Sequence, residues 1–246
     1  MNNASRTSAW FCVFGIFLAL GLTSCSSARV ENEGMREDSA RQERLLGEFL
    51  APQLERNLEW SWDAQVEAFL DGVLQRLLQD ERSLAGARVK VIRERGGEWR
   101  NFSLPVDRLF LSGGLLSRLE HENEVAAVVA FELGLLQRRA VSRKIESGQW
   151  REEQGILKLF EHSDADLASA CETAVRLLYR AGYDVRGLGS VWGLLARSPR
   201  QSPFGPMTLQ KLIEQTRKAV AEQAPLRNPV VSSEAFLKIK ERIGRL

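Results

Sequence analysis

One segment of the 246-residue chain constrains the interior of any fold that the chain can adopt. A helical pattern runs from about Glu122 to Arg143, and its stretch from Val125 to Leu136 is apolar nearly all round apart from Glu132. Such a helix is normally central and buried. A lone carboxylate in the middle of it is costly unless it is paired, protonated or facing a cleft. The sequence therefore predicts a central helix that carries one acidic group in need of an explanation.

The N-terminus has the features of a bacterial lipoprotein signal peptide, which we assign to residues 1–24. Its apolar run from Ala9 to Leu22 is about 14 residues long, whereas a helix that spans a bilayer needs roughly 20. The run ends in Leu22-Thr23-Ser24-Cys25, which resembles a lipobox. The alternative is an ordinary signal peptide with a chance cysteine. The resemblance implies lipidation of Cys25 and a membrane anchor through its acyl chains.

Three further expectations follow from the same region. Ser26 after the cysteine is similar to the outer-membrane class of lipoproteins, which implies the periplasmic face of the outer membrane. The polar residues 25–39 predict a tether, and residues 40–246 predict one folded domain.

Composition excludes some classes of protein. Once Cys12 leaves with the signal peptide and Cys25 carries lipid, only Cys171 remains, so no intrachain disulfide is expected. We expect Cys171 to be a small buried apolar residue. The 34 basic and 32 acidic residues nearly balance, and no long basic run is present. A nucleic-acid partner is therefore not expected.

The remaining periodicities predict a mostly helical α+β fold with a small antiparallel sheet of about three strands. The predicted strands are Arg88–Ile92, Asn101–Pro105 and Arg108–Ser112. The predicted helices are 40–58, a helix capped by Asp63, the central helix, 164–180, 186–196, 207–221 and 233–244.

Four pieces of the sequence, in this order, are similar to the HtpX-like and BepA-like zinc metallopeptidases, family forty-eight of the metallopeptidases. That family runs N-A-F-x-L-P, then a strand with G-L-L, then E-L-A-A-V-L-A-H-E-I-G-H, then E-A-D leading to A-G-Y-D. The corresponding pieces here are Asn101-Phe102-Ser103-Leu104-Pro105; Leu109 to Leu116; Glu124 to Gly134; and Asp164-Ala165-Asp166 leading to Ala181-Gly182-Tyr183-Asp184. The resemblance implies a zincin-like (gluzincin) fold whose sheet packs on the former zinc helix.

The resemblance also assigns roles to positions of this chain. The two zinc-ligating histidines of H-E-x-x-H fall on Phe131 and Leu135, and the general-base glutamate falls on Glu132. The third ligand falls on Asp164 and its acidic neighbour on Asp166. A T-H-P near the family's C-terminal end has a loose counterpart in Gln201-Ser202-Pro203, which lacks the histidine.

These replacements bear directly on the chemistry. Catalytic zinc needs about three protein ligands and a water. Since Phe131 and Leu135 offer no lone pair, we expect no zinc, no cofactor and no peptidase activity of the usual kind. Glu132 is then a vestigial general base, and the two hydrocarbon side chains fill the former metal hollow.

Other interpretations of the same residues stay open at the level of sequence. Glu132 can be a structural carboxylate paired with an arginine such as Arg139, and Asp164 can be a helix N-cap. The two histidines, His121 and His162, can form a relocated metal site with Asp164 or Glu161, or can be exposed loop residues.

The strand before the central helix suggests a binding groove. In the peptidases that this chain resembles, that strand lines the cleft and pairs with substrate backbone. Backbone pairing needs no metal, so Arg108, Leu109, Phe110 and Leu111 are predicted to bind peptides by β-augmentation. The alternative is an edge strand closed off by its own loops.

The resemblance and the replacements together predict a lipid-anchored periplasmic pseudoprotease. It would bind envelope proteins or peptides as an adaptor or chaperone-like factor in protein quality control. The alternatives are an active metallo-endopeptidase with a non-standard site built on Glu132, Asp164, Asp166 and a displaced histidine, and a purely structural envelope lipoprotein.

Overall fold

Helices surround one small sheet in a computed structural model that describes residues 41–60, 63–79, 86–93, 98–105 and 108–246. The strands are β1 (Glu59–Trp60), β2 (Arg88–Arg93), β3 (Phe102–Leu104) and β4 (Arg108–Ser112). The helices are α1 (41–55), α2 (Ala64–Leu77), α3 (Gly113–Arg118), α4 (Glu122–Gln137), α5 (Ala140–Glu146), α6 (Asp164–Arg180), α7 (Gly187–Arg197), α8 (Pro206–Ala221) and α9 (Glu234–Ile243). The predicted mostly helical α+β class is confirmed.

The predicted signal peptide, the lipidation site Cys25 and the predicted tether all lie outside the described residues. Contacts within the chain divide it into Met1–Glu43 and Arg44–Leu246, and the second unit contains the sheet and the helices from α2 onward. No described helix combines the length and the hydrophobicity that a bilayer crossing requires.

The sheet corrects the predicted antiparallel arrangement. Its four strands are mixed, in the order β1-β2-β4-β3, and β2 pairs parallel with β4 while the other pairs are antiparallel. The antiparallel prediction assumed that strands adjacent in sequence are neighbours in space, which is common but not general. Here the chain leaves β2, reaches the edge strand β3 and then returns through β4, which lies between β2 and β3, so the segment 98–101 crosses one end of the sheet.

Both faces of the sheet are buried, which explains why β4 is apolar at consecutive positions. Leu109 and Leu111 belong to the large core with α2, α4 and α6. Phe110, between them, belongs to a second core with α1 and the 3-10 segment Ile156–Phe160. Successive side chains of a strand point to opposite faces, so a run of hydrophobic residues requires cover on both sides.

The central helix is confirmed, but it ends earlier than predicted. Helix α4 stops at Gln137, and Arg139 adopts a left-handed conformation with φ 51° before α5 begins at Ala140. A left-handed residue interrupts the helical hydrogen-bond ladder and changes the direction of the chain. The Arg139 guanidinium pairs with Glu146 of α5 at 2.7 Å, which holds the new direction.

Helices α4 and α6 are in close contact at Gly134. A Cβ atom placed there would lie 2.8 Å from the Ala170 carbonyl oxygen and 2.9 Å from the Ala170 Cα. Any side chain at this position would push the two helices apart. The glycine of the F-E-L-G segment is therefore required by helix packing.

Candidate binding cleft

A cleft of about 210 Å³ opens beside the middle of α4. Its walls come from the crossover segment 98–101, from α4, from residues 160–164 before α6, from α7, and from the loop that leads into α8. Helix α4 is buried around its whole circumference in this region, so the cleft is set into the core of the protein.

The positions that the family resemblance singles out meet in this cleft. Phe131, Glu132 and Leu135 of α4 line it together with Asp164, the first residue of α6. Pro203, from the predicted counterpart of the T-H-P loop, lies on the opposite wall. Two regions that are about 70 residues apart in sequence are thus brought to one place.

Glu132 is held by the strand that packs against α4. Its carboxylate accepts a hydrogen bond from the Ser103 hydroxyl and another from the Asn101 side chain. Asn101 also accepts from the Ser112 backbone N–H at 2.9 Å, which fixes the orientation of its amide. The interpretation that Glu132 pairs with Arg139 is wrong, because Arg139 lies beyond the end of α4 and pairs with Glu146.

The surroundings of Glu132 change its acidity. The residue is 4 % exposed, and burial raises the pKa of its carboxyl from the ordinary value of 4.5 to about 7, against the lowering effect of the Ser103 and Asn101 hydrogen bonds. Desolvation disfavours the charged form of a carboxyl group. Glu132 is therefore present in both protonation states near neutral pH.

His162 lines the cleft on the side of the 160–164 segment. It is half-buried rather than exposed as a typical loop histidine would be, and its Nδ1 atom is enclosed with no hydrogen-bond partner among the described residues. Burial and then the charge of Lys144 lower the pKa of the imidazole to about 4. His162 is consequently neutral at physiological pH.

The two acidic residues of the D-A-D segment have different surroundings. Asp164 is exposed at the cleft rim and pairs with Lys211 of α8 at 2.5 Å. Its predicted role as N-cap is wrong, because the Ser163 hydroxyl caps α6 by accepting from the Asp166 N–H at 3.2 Å. Asp166 pairs with Arg143 outside the cleft.

The predicted peptide groove along β4 requires correction. Arg108, Leu109 and Phe110 pair with β2 on one side and with β3 on the other. Leu111 pairs with β2, and beyond it Ser112 donates its N–H to Asn101. Because β4 is an inner strand, its backbone has no free edge that could receive a peptide.

Sequence reasoning missed the aromatic wall of the cleft. Trp99, Trp192 and Phe204 line it together with Phe131, and the rings of Phe131 and Trp192 meet edge to face at 4.9 Å. Trp99 is placed by its backbone N–H, which donates to the Gln201 backbone carbonyl at 2.7 Å. The only sequence signal for this wall was the richness of the chain in tryptophan, which gives no position.

The donor set of the cleft does not fit a catalytic zinc ion. Phe131 and Leu135 present hydrocarbon where the resemblance places imidazoles. Within the described ranges, no three histidine, cysteine, aspartate or glutamate side chains are grouped so that they could hold a metal ion. This also applies to the proposed relocated site, since His121 caps the start of α4 and does not line the cleft.

Cys171 is fully buried in α6, as predicted, and burial raises the pKa of its thiol to about 11.

No protein-family model and no curated protein matches this chain.

Proposed function

We propose that this protein is a non-hydrolytic relative of the HtpX-like and BepA-like zinc metallopeptidases that acts by binding polypeptides. In this proposal it is anchored through a lipidated Cys25 at the periplasmic face of the outer membrane. It recognises envelope proteins or peptides in the cleft beside α4 and serves as an adaptor or chaperone-like factor. The proposed fold is zincin-like, with α4 as the former zinc helix.

One observation carries the proposal: the positions that the resemblance assigns to metal and base converge on a single cleft. Phe131, Glu132, Leu135 and Asp164 all line it. Concave, mostly apolar pockets with a few polar groups are the usual binding sites of proteins. The replacement of ligands by hydrocarbon removes the chemistry and leaves a cavity that suits an apolar group.

The residues that the chain retains from the motif are those with a structural role here. Gly134 allows α4 and α6 to touch, and Glu132 is fixed by Ser103 and Asn101 of the N-F-S-L-P piece. Retention of packing residues beside replacement of metal ligands favours a scaffold that has kept its shape and changed its use. It argues against a hydrolase with a displaced metal, since Asp166 faces Arg143 rather than the cleft.

Restoring the missing donors tests the zincin-like geometry. The triple variant Phe131→His, Leu135→His, Asp164→Glu should bind about one equivalent of zinc, because imidazoles at i and i+4 share one helical face. The wild-type protein should bind none. The matched control Phe131→His, Leu136→His, Asp164→Glu places the second imidazole off that face. Elemental analysis of the folded variants decides, and equal zinc contents in triple variant and control would remove the fold proposal.

Cross-linking tests the binding role. Thr208 lines the cleft, and its neighbour Met207 is 75 % exposed outside it. A photo-reactive residue at Thr208, in the full lipidated chain in its bacterial envelope, should capture polypeptides, and the same residue at Met207 should not. Adding Leu135→Trp, which fills the cleft, should remove the captures. Equal capture at both positions, or chelator-sensitive proteolysis by the wild type, contradicts the proposal.

A further inference from the structure

We propose that the cleft binds an organic ammonium group on a short apolar stem, with Glu132 as its counterion and the aromatic wall around its stem. The chemistry is that of a lysine side chain in a bound polypeptide or of a small free alkylamine. This inference deepens the proposed binding function and rests on it, because it names what the same cleft recognises.

The charges that line the cleft are almost all neutralised by neighbours. Three of them have ion-pair partners: Arg100 with Glu98 at 2.8 Å, Glu161 with Lys158 at 2.9 Å, and Asp164 with Lys211 at 2.5 Å. Glu132 has no ion-pair partner among the described residues, and no charged group contributes to the shift of its pKa. The floor of the cleft therefore offers one carboxyl group that lacks a cation.

The hydrogen bonds to Glu132 come from neutral groups and hold its position. Ser103 and Asn101 donate to the carboxylate, and each is itself fixed on or beside β3. Neutral donors orient the carboxylate without compensating its charge. Burial of such a group without an opposite charge is unfavourable, so a cation that enters the cleft gains an electrostatic partner in surroundings of low polarity.

Aromatic rings complete a site for an organic cation. Phe131 and Trp192 lie 4.9 Å apart at 80°, and Trp192 and Phe204 lie 6.1 Å apart at 80°. The Trp192 indole N–H donates to the Thr216 hydroxyl at 2.9 Å, which fixes the ring. The faces of aromatic rings attract ammonium groups, and aromatic cages are a known solution for their recognition. The rings also bury the methylene stem of an alkylammonium ion.

The charges of the cleft-lining residues also exclude an anionic ligand. Arg100 is the one cationic residue that lines the cleft in the described part of the chain, and Glu98 neutralises it. His162 is neutral because burial and the charge of Lys144 lower its pKa to about 4. The cleft-lining residues of α7 and of the loop before α8 are uncharged. An anion would thus approach Glu132 without a compensating charge.

The cleft has sufficient volume for the ligand. It measures about 210 Å³, and an apolar cavity of about 150 Å³ is enough to hold a benzene molecule. An ammonium group on a stem of about four carbons fits within that space.

Proton linkage gives the inference a second, independent readout. A bound ammonium ion stabilises the ionised form of Glu132, whose pKa in the ligand-free protein is about 7. The ammonium ion should therefore bind about tenfold more weakly at about pH 6 than at about pH 8, and its binding near pH 6 should release a proton. A neutral ligand of the same shape shows neither effect.

The experiment compares n-butylamine with its neutral counterpart n-butanol by isothermal titration of the whole mature protein at about pH 6 and about pH 8. The amine should bind more tightly than the alcohol at the higher pH, and the preference should disappear in Glu132→Gln. Glu172→Gln, on the exposed surface of α6, is the matched control and should bind as the wild type does. An alcohol that binds as tightly as the amine at the higher pH, or an amine preference that persists in Glu132→Gln, overturns the inference.

A peptide arm separates this inference from the proposed function and identifies the source of the ammonium group. An extended peptide with one lysine is compared with the same peptide carrying norleucine, which keeps the stem and lacks the charge. Tighter binding of the lysine peptide than of butylamine points to a polypeptide ligand, and the reverse points to a free amine. If both peptides bind equally well in the cleft, the proposed function is retained and the ammonium preference is overturned. If the two peptides, the amine and the alcohol all fail to bind, both proposals are overturned.

Discussion

Helix α4 carries two glutamates that are both 4 % exposed, and their surroundings are opposite. Glu122, at the first turn, accepts hydrogen bonds from the Tyr183 hydroxyl at 2.9 Å and from the Ser233 N–H at 2.8 Å. Glu132, in the middle of the helix, accepts from Ser103 and Asn101 and faces a cleft. Glu122 is thus enclosed by the protein groups that donate to it, whereas Glu132 lies beside an open cleft.

The difference shows that burial alone does not identify a functional carboxyl group. The first turn of a helix favours negative charge, and Glu122 joins α4 to the segments around Tyr183 and Ser233. Glu132 has no such support from the helix dipole, and its pKa is raised by desolvation. We infer that Glu122 has a structural role, and that Glu132 is the group available to a ligand.

The largest expected effect is at the closed end. Glu122→Ala should lower the free energy of unfolding by about 4 kcal/mol, because it leaves the buried Tyr183 hydroxyl and the partly buried Ser233 N–H without their acceptor. Urea denaturation measures the loss. Glu124→Ala is the matched control in the same turn. Glu124 accepts from the Glu120 and His121 N–H groups at 2.7 and 3.1 Å, but both hydrogen bonds are exposed to solvent, so its loss should be about 1 kcal/mol. Equal losses would contradict the distinction.

A smaller effect concerns the two titrating groups of the cleft, and the sign differs between them. The pKa of Glu132 is raised from 4.5 to about 7, so the folded state holds an extra proton between these values and loses stability as pH rises through them. The pKa of His162 is lowered from 6.5 to about 4, so the unfolded state holds the extra proton and stability is lost as pH falls. Each contribution is about 3 kcal/mol.

In the wild type these two contributions should cancel between about pH 4.5 and 6.5. In Glu132→Gln only the contribution of His162 remains, so this variant should become less stable on acidification, relative to the wild type. In His162→Gln only the contribution of Glu132 remains, so this variant should become more stable on acidification. Urea denaturation across this pH range measures both slopes, with the double variant as the reference for all other groups. Slopes of the same sign in the two single variants would show that the cleft does not perturb these residues as described.

Local patterns in the sequence were sufficient for most of the helices. The 3- and 4-residue spacing placed α2 with its Asp63 cap, and the apolar run placed α4 at the centre of the core. The approximate bounds of α6, α7, α8 and α9 also agree with the structure to within about two residues. Capping residues and periodicity act within one or two turns, which is the range that sequence reasoning covers.

The errors arose where distant segments compete for the same position. The parallel pairing of β2 with β4 depends on how the crossover 98–101 passes the sheet, and no local signal encodes that path. The break at Arg139 depends on the contact of α5 with the segment before α6, where the Lys144 ammonium donates to the Leu159 carbonyl at 3.4 Å. The sequence did not reveal the partners of Glu132, because Ser103 lies 29 residues away.

The sequence by itself determined that Phe131 and Leu135 have hydrocarbon side chains and cannot ligate a cation, since that property belongs to the side chains alone. Only the tertiary structure decided that Trp99, Trp192 and Phe204 line the same cleft as those positions, and that Glu132 has no ion-pair partner in the part of the chain that the structure describes. Acidity and enclosure are properties of the surroundings, because they depend on the solvent and charges that the fold removes or supplies.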